Sequence, residues 1–220
     1  MMWPFTSKSK AAPDVEFKGV VLREPFRYAD IPTENDRRLE CATYPQNTVA
    51  PISSLRPDFF RNRYARLMHG LLDQLPLSHE EIEQLLMPVI NRLIAEVHLL
   101  PASESHHHSG VGGLFVHSIQ CATTAATEME RRLPLAAETL EERYHGKKPW
   151  IVGAVVMMLI HDTGKAFDME VRSVSGDLWN PDEMPLLMWL EVNRFDQYFV
   201  CWKSGRIHKS HELRSLRLAY

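Results

Sequence analysis

Histidine, aspartate and lysine concentrate at two places in this chain of 220 residues. One is residues 104–118, ESHHHSGVGGLFVHS, with His106, His107, His108 and His117. The other is residues 159–168, LIHDTGKAFD, with His161, Asp162, Lys165 and Asp168. Imidazole nitrogen and carboxylate oxygen together hold divalent metal ions, and such an ion lowers the pKa of a water and binds phosphoryl oxygen. His117 shares a helix face with Leu114 and Cys121, so its ring is expected to point inward. His161 and Asp162 close the apolar run Trp150–Ile160 and emerge from the core at its end, where polar groups are costly unless paired or bound to metal. Each signal alone has a plain structural explanation. An inward histidine is commonly a hydrogen-bonded core residue, His-Asp doublets arise by chance, and three adjacent histidines fit a solvated loop. Their order in one chain is more specific: an inward histidine, a His-Asp doublet 44 residues later (161 minus 117), then Gly164-Lys165.

The elements that must position these groups read as helices. Phe60, Tyr64, Leu67, Leu71 and Leu75 recur at spacings of three and four from about residue 57. A second helix opens at a capping box, Ser78 and Glu81, and buries Ile82 through Val97, with Pro88 predicting a kink or a break. Leu100 to Gly113 is a loop. A third helix spans about Gly113–Arg132, and a fourth, apolar on every side and therefore buried, ends at His161. A fifth is predicted over about Asp182–Lys203 with Pro185 in its first turn, and another near His208. No alternating strand pattern competes, so the expected class is all-α. Residues 1–50, with Pro4, Pro13, Pro25, Pro32 and Pro45 and no sustained period, read as an extended arm before a domain spanning 51–220. The helical pattern at Leu213, Leu216 and Leu218 has no stop signal after it, which predicts a fragment of a longer protein.

Composition bounds the function. With 25 Lys and Arg against 28 Asp and Glu, the net charge of -3 excludes a uniformly basic nucleic-acid coat but not a local basic groove. Cys41, Cys121 and Cys201 form no CxxC pair, which excludes a disulfide framework and suits a reducing cytoplasm. The longest apolar run, eleven residues from Trp150 to Ile160, falls short of the roughly 18 needed to span a bilayer, so no transmembrane segment is expected.

The histidine on one helix, the HDTGK run and the buried helix before it resemble the HD superfamily of metal-dependent phosphohydrolases. A narrower likeness covers residues 52–217. LPASESHHHSGVGGLFVHS, the HD doublet, WNPDEMPLLMW and YFVCWKSGR are similar to the TraI-like domain of MobH-type conjugative relaxases. That resemblance implies an HD-like helical bundle that nicks one DNA strand at an origin of transfer on a plasmid or integrative conjugative element, alongside conjugative coupling and secretion machinery. It implies a divalent ion, manganese first among Mn, Fe, Co and Zn, held by His117, His161, Asp162 and His211. His108 would complete or border that site, His106 and His107 would act beside it, and Lys165 would meet substrate phosphate. HD proteins commonly supply a late aspartate ligand, and none follows His211 here. Two other functions stay open: an HD phosphohydrolase of nucleotides or cyclic dinucleotides, and a non-catalytic module that recruits DNA.

Two arginine-rich stretches could meet a phosphodiester backbone. The C-terminal one (Lys203, Arg206, Lys209, Arg214 and Arg217 against Glu212) is the first choice. Arg56, Arg61, Arg63 and Arg66, interleaved with Phe59, Phe60 and Tyr64, are the second. Relaxases of other families attack DNA with a tyrosine. Tyr198, inside the family-like segment, is the nucleophile candidate, with Tyr64 next and metal-bound hydroxide the competing choice. Trp179, Trp189 and Trp202 read as core.

Overall fold

A computed structural model describes residues 51–132, 139–206 and 214–215. The arm over residues 1–50, Lys209, His211 and the start of a helix near His208 lie outside the described residues.

Helix α1 (Pro57–Leu72) opens with proline in its first turn and buries Phe60, Met68, Leu71 and Leu72. The Ser78 capping box is present: its hydroxyl accepts the Glu81 N–H at 3.2 Å, and its own N–H donates to Glu81 Oε2 at 2.8 Å. It starts a short turn, α2 (His79–Glu81), followed by a π-helical segment, Ile82–Leu86, and then α3 (Met87–Val97). Pro88 removes one backbone donor, and the widened turn ahead of it absorbs the misfit that the sequence predicts as a kink. α3 buries Ile90, Leu93, Ile94 and Val97 on one face. α4 (Gly113–Arg132) and α5 (Leu140–Ile160) pack along each other. α5 starts ten residues before the apolar run, at a second capping box, Thr139 with Glu142. It is not buried all round as expected: Ile151, Val155 and Leu159 enter the core, but Trp150 is 61% and Met157 46% exposed. By length and composition the stretch Leu140–Asp168 is also apolar enough to cross a membrane, contrary to the reading of the eleven-residue run alone.

The molecule is mostly helical but not all-α. Strands β1 (Ile52–Ser53), β2 (Met169–Ser173) and β3 (Gln197–Trp202) form an antiparallel sheet in the order β1-β3-β2. The predicted helix over 182–203 is split. α6 (Leu186–Asn193) stops because Arg194 takes the left-handed conformation (φ 57°), with Phe195 N–H closing back on Leu190 C=O at 2.9 Å. This closure is usually made by glycine, so an arginine there sends no stop signal. β3 alternates Tyr198 and Val200 inward with Phe199 and Cys201 outward, and Tyr198 pairs with Ile52 on one side and Ser173 on the other.

His98 ties the helices to this sheet. It caps α3, is fully buried, accepts the Leu55 backbone N–H at Nε2 (3.1 Å) and places Nδ1 2.9 Å from the Tyr198 hydroxyl. Burial pushes its pKa down from 6.5 to about 4, only partly offset by the Leu55 C=O, 3.2 Å from Nε2, which favours the protonated ring. Between those values the unfolded chain carries a proton on this ring that the folded one refuses, so stability falls as pH drops through that window. Urea unfolding at successive pH values is expected to lose about 1.4 kcal/mol per unit from this residue. His98→Gln should flatten the dependence, and an unchanged slope would show that His98 is protonated inside the fold.

Candidate metal centre

The loop from Leu100 to Gly113 brings the triple histidine onto α4. Leu99 and Leu100 C=O accept the N–H groups of Gly112 and Leu114 at 2.8 and 2.9 Å, and Ala102 N–H donates to His108 C=O at 2.9 Å. His108 is left-handed (φ 58°). The closure requires Gly112 and Gly113. Gly112 has φ 75°, and a Cβ there would strike the Tyr64 hydroxyl, while one on Gly113 would fall inside the His108 carbonyl. His107 and His108 then lie 5.7 and 5.4 Å, centroid to centroid, from the His117 ring.

His161 and Asp162 enter from the end of α5, and the 3-10 segment Thr163–Asp168 folds Lys165 back over them. One carboxylate oxygen is the focus. Asp162 Oδ2 lies 3.1 Å from His117 Nε2, 3.3 Å from His161 Nε2 and 2.7 Å from Lys165 Nζ. The His161 Nδ1–H donates to Met158 C=O at 2.7 Å, which fixes the ring and frees Nε2 as a ligand atom. Burial opposes ionisation of Asp162, but the bonds from His117, His161 and Lys165 outweigh it and hold the carboxyl far below the usual range. The Asp162 bond raises the pKa of His161 against its burial. His108 is lowered, first by burial and then by the neighbouring His117 and His107.

These donors fit a divalent ion. Ligand atoms bound at 2.0 to 2.2 Å around one centre lie roughly 3.0 to 3.4 Å apart, the spacing of the two imidazole nitrogens from Asp162 Oδ2. Cys121, one turn beyond His117, adds a group that the sequence reading used only to orient that helix. Its Sγ is 3.6 Å from His117 Nε2, and the ligating atoms of His117, Cys121 and His161 all lie within 4.8 Å of one another. The His-x-x-x-Cys spacing on one helix face was the available signal. Burial and the Asp162 charge raise the pKa of the thiol.

Other predicted residues stand apart. His106 is exposed, with Nδ1 3.4 Å from Ser105 Oγ. Tyr198 is fully buried with its hydroxyl at His98, and Tyr64 packs its ring against Phe60 and Phe115. Lys203 Nζ donates to Phe167 C=O at 3.0 Å, Arg206 pairs with Glu104 and stacks on Trp202, and Arg214 lies over the Phe167 ring. Ser215, beside Arg214, accepts the Gly164 N–H at 2.9 Å, so this part of the C-terminal segment braces the HDTGK turn. Trp202 is half-buried at the end of the central strand, unlike the buried Trp179 and Trp189.

Residues 52–218 match the model of the TraI_2 family, whose description is "Putative helicase". The chain belongs to that family of TraI-like proteins. No curated protein and no solved structure matches it significantly.

Proposed function

We propose that this domain is the HD-type, MobH-like relaxase domain of a conjugative element and that it cleaves one DNA strand at an origin of transfer with the help of a divalent ion. The observation that carries this is the convergence of His117 Nε2, His161 Nε2 and Lys165 Nζ on Asp162 Oδ2. Cleavage is favoured over unwinding because the HDTGK run builds a histidine–carboxylate cluster and lacks the G-x-x-x-x-G-K-[ST] pattern of a nucleotide-binding loop.

His117, His161 and Asp162 would hold the ion, with His107 and His108 bordering it and Cys121 as a further donor. When bound, it would supply a Lewis acid for the scissile phosphoryl group and lower the pKa of a water. Lys165 would meet a non-bridging phosphoryl oxygen and offset the charge that develops there. Mixed nitrogen and oxygen donors suit manganese, the ion the family resemblance implies, while a Cys121 ligand would favour zinc. The test is metal content by elemental analysis together with nicking of supercoiled DNA carrying the origin, with and without chelator. Nicking that persists after complete metal removal would refute the reading.

The enclosure of Tyr198 argues for water rather than this tyrosine as the attacking group. Tyr198→Phe is therefore expected to nick at the wild-type rate and to lose about 1 to 3 kcal/mol of stability, because the buried His98 Nδ1 is left without the hydroxyl. Denaturing electrophoresis of labelled DNA checks it: a covalent protein–DNA band in wild type that vanishes in Tyr198→Phe would make Tyr198 the nucleophile.

A further inference from the structure

A second feature of the molecule bears on how a strand reaches Asp162. Between α1 and α4 lies an open groove of about 670 Å³, lined among others by Arg63, Arg66, Gln74, Gln120, Thr123 and Thr124. Among the described residues its lining contains no aspartate or glutamate; of its two arginines Arg66 is exposed, while the terminal nitrogens of Arg63 are buried. One stripe of α4 leads from the candidate metal centre to the groove, whose lining includes Gln120 and Thr124. His117, Gln120, Cys121 and Thr124 follow at spacings of three and four, and the Gln120 side chain hydrogen-bonds His108. From His117 to Thr124 the helix rises about 10 Å, short enough for neighbouring phosphates of one strand.

The rival surface is the outer side of the sheet, a depression of about 890 Å³ that includes Arg172, Lys203 and Arg206. It also holds Glu170 and Glu104, which pair with Arg172 (2.6 Å) and Arg206. A polyanion there would have to displace carboxylates from both arginines. In the α1–α4 groove Arg66 is exposed, and the floor beneath it is neutral: Thr123 and Thr124 return their hydroxyl protons to helix carbonyls.

We infer that the α1–α4 groove is the seat of the single-stranded DNA that flanks the scissile phosphate, held through its phosphates by the exposed Arg66. This rests on the nicking function proposed above, and it moves the DNA path away from Lys203 and Arg206. Because the contacts are to backbone, binding should be indifferent to base sequence and strongly dependent on salt.

Fluorescence anisotropy with a labelled oligo(dT) and the full chain tests it, using substitutions on exposed positions that keep the fold. Arg66→Gln should lower the slope of log affinity against log salt by about 0.7, a loss of about fivefold at 0.1 M salt. Thr124→Glu, which places an acid on the groove floor, should weaken binding further. Both variants should take up metal as wild type does. Unchanged affinity and slope in both, with wild type binding normally, would overturn the groove assignment and leave the nicking reading standing. A fall seen instead in Lys203→Gln/Arg206→Gln would overturn it in favour of the sheet face. Failure of the wild-type protein to bind the oligonucleotide at low salt would sink the nicking reading itself, and this assignment with it.

Discussion

Asp162→Asn is expected to weaken divalent-ion affinity by about 100-fold or more and strand cleavage by about 1,000-fold, with the helices intact. The side chain keeps its size and one carbonyl acceptor, so the shape of the site survives. What it loses is the negative charge toward which His117, His161 and Lys165 all point. A neutral amide oxygen is a poorer ligand, and it leaves the Lys165 ammonium without its counter-charge where the side chain is only 19% exposed. Calorimetric metal titration, circular dichroism and nicking of origin DNA together read the effect. Full metal occupancy with wild-type nicking would remove Asp162 from the site, and a general loss of helicity would make its role structural.

Gly113→Ala should cost about 3 kcal/mol, which for a domain of this size lowers Tm by roughly 6 to 12 °C. The new methyl group would collide with the His108 carbonyl, and that carbonyl is already engaged by the Ala102 N–H. Either α4 starts later or the triple-histidine loop lifts away from His117, so metal affinity should fall together with stability. Gly70→Ala is the matched control. Its Cβ would meet nothing within 4 Å, and it lies inside α1, so helix propensity alone should raise stability by about 0.5 to 1 kcal/mol. Thermal melts of the two variants should shift in opposite directions. A Gly113→Ala protein that melts with wild type would show that the loop does not close on α4 in solution.

Much of this molecule is determined locally. The 3.6-residue spacing of Phe60, Leu67 and Leu71, the Ser78–Glu81 box and the apolar face of α3 act within a few turns, so periodicity and capping chemistry predict those helices directly. The candidate metal centre was legible for a related reason. His117 and the His161–Asp162 pair occupy the inward face of one helix and the end of its neighbour, and packing α4 on α5 needs no further information to bring them together.

What local pattern could not decide depended on partners far away in the chain. QYFVCW continues an apolar helix by composition. It becomes a strand only because the left-handed Arg194 turns the chain and because Ile52 and Met169–Ser173, over a hundred and about thirty residues away, supply edges for it. That pairing buries Tyr198 against His98, which removes from solvent the residue whose position in sequence marked it as a nucleophile. Cys121 joined the ligand group only once His161 arrived across the α4–α5 contact. The charge of Lys203 and Arg206 was visible in the sequence. Their engagement by the Phe167 carbonyl and Glu104, made across 36 and 102 residues, was not, because a salt bridge or carbonyl contact is a property of the distance between two groups, which the tertiary fold alone determines.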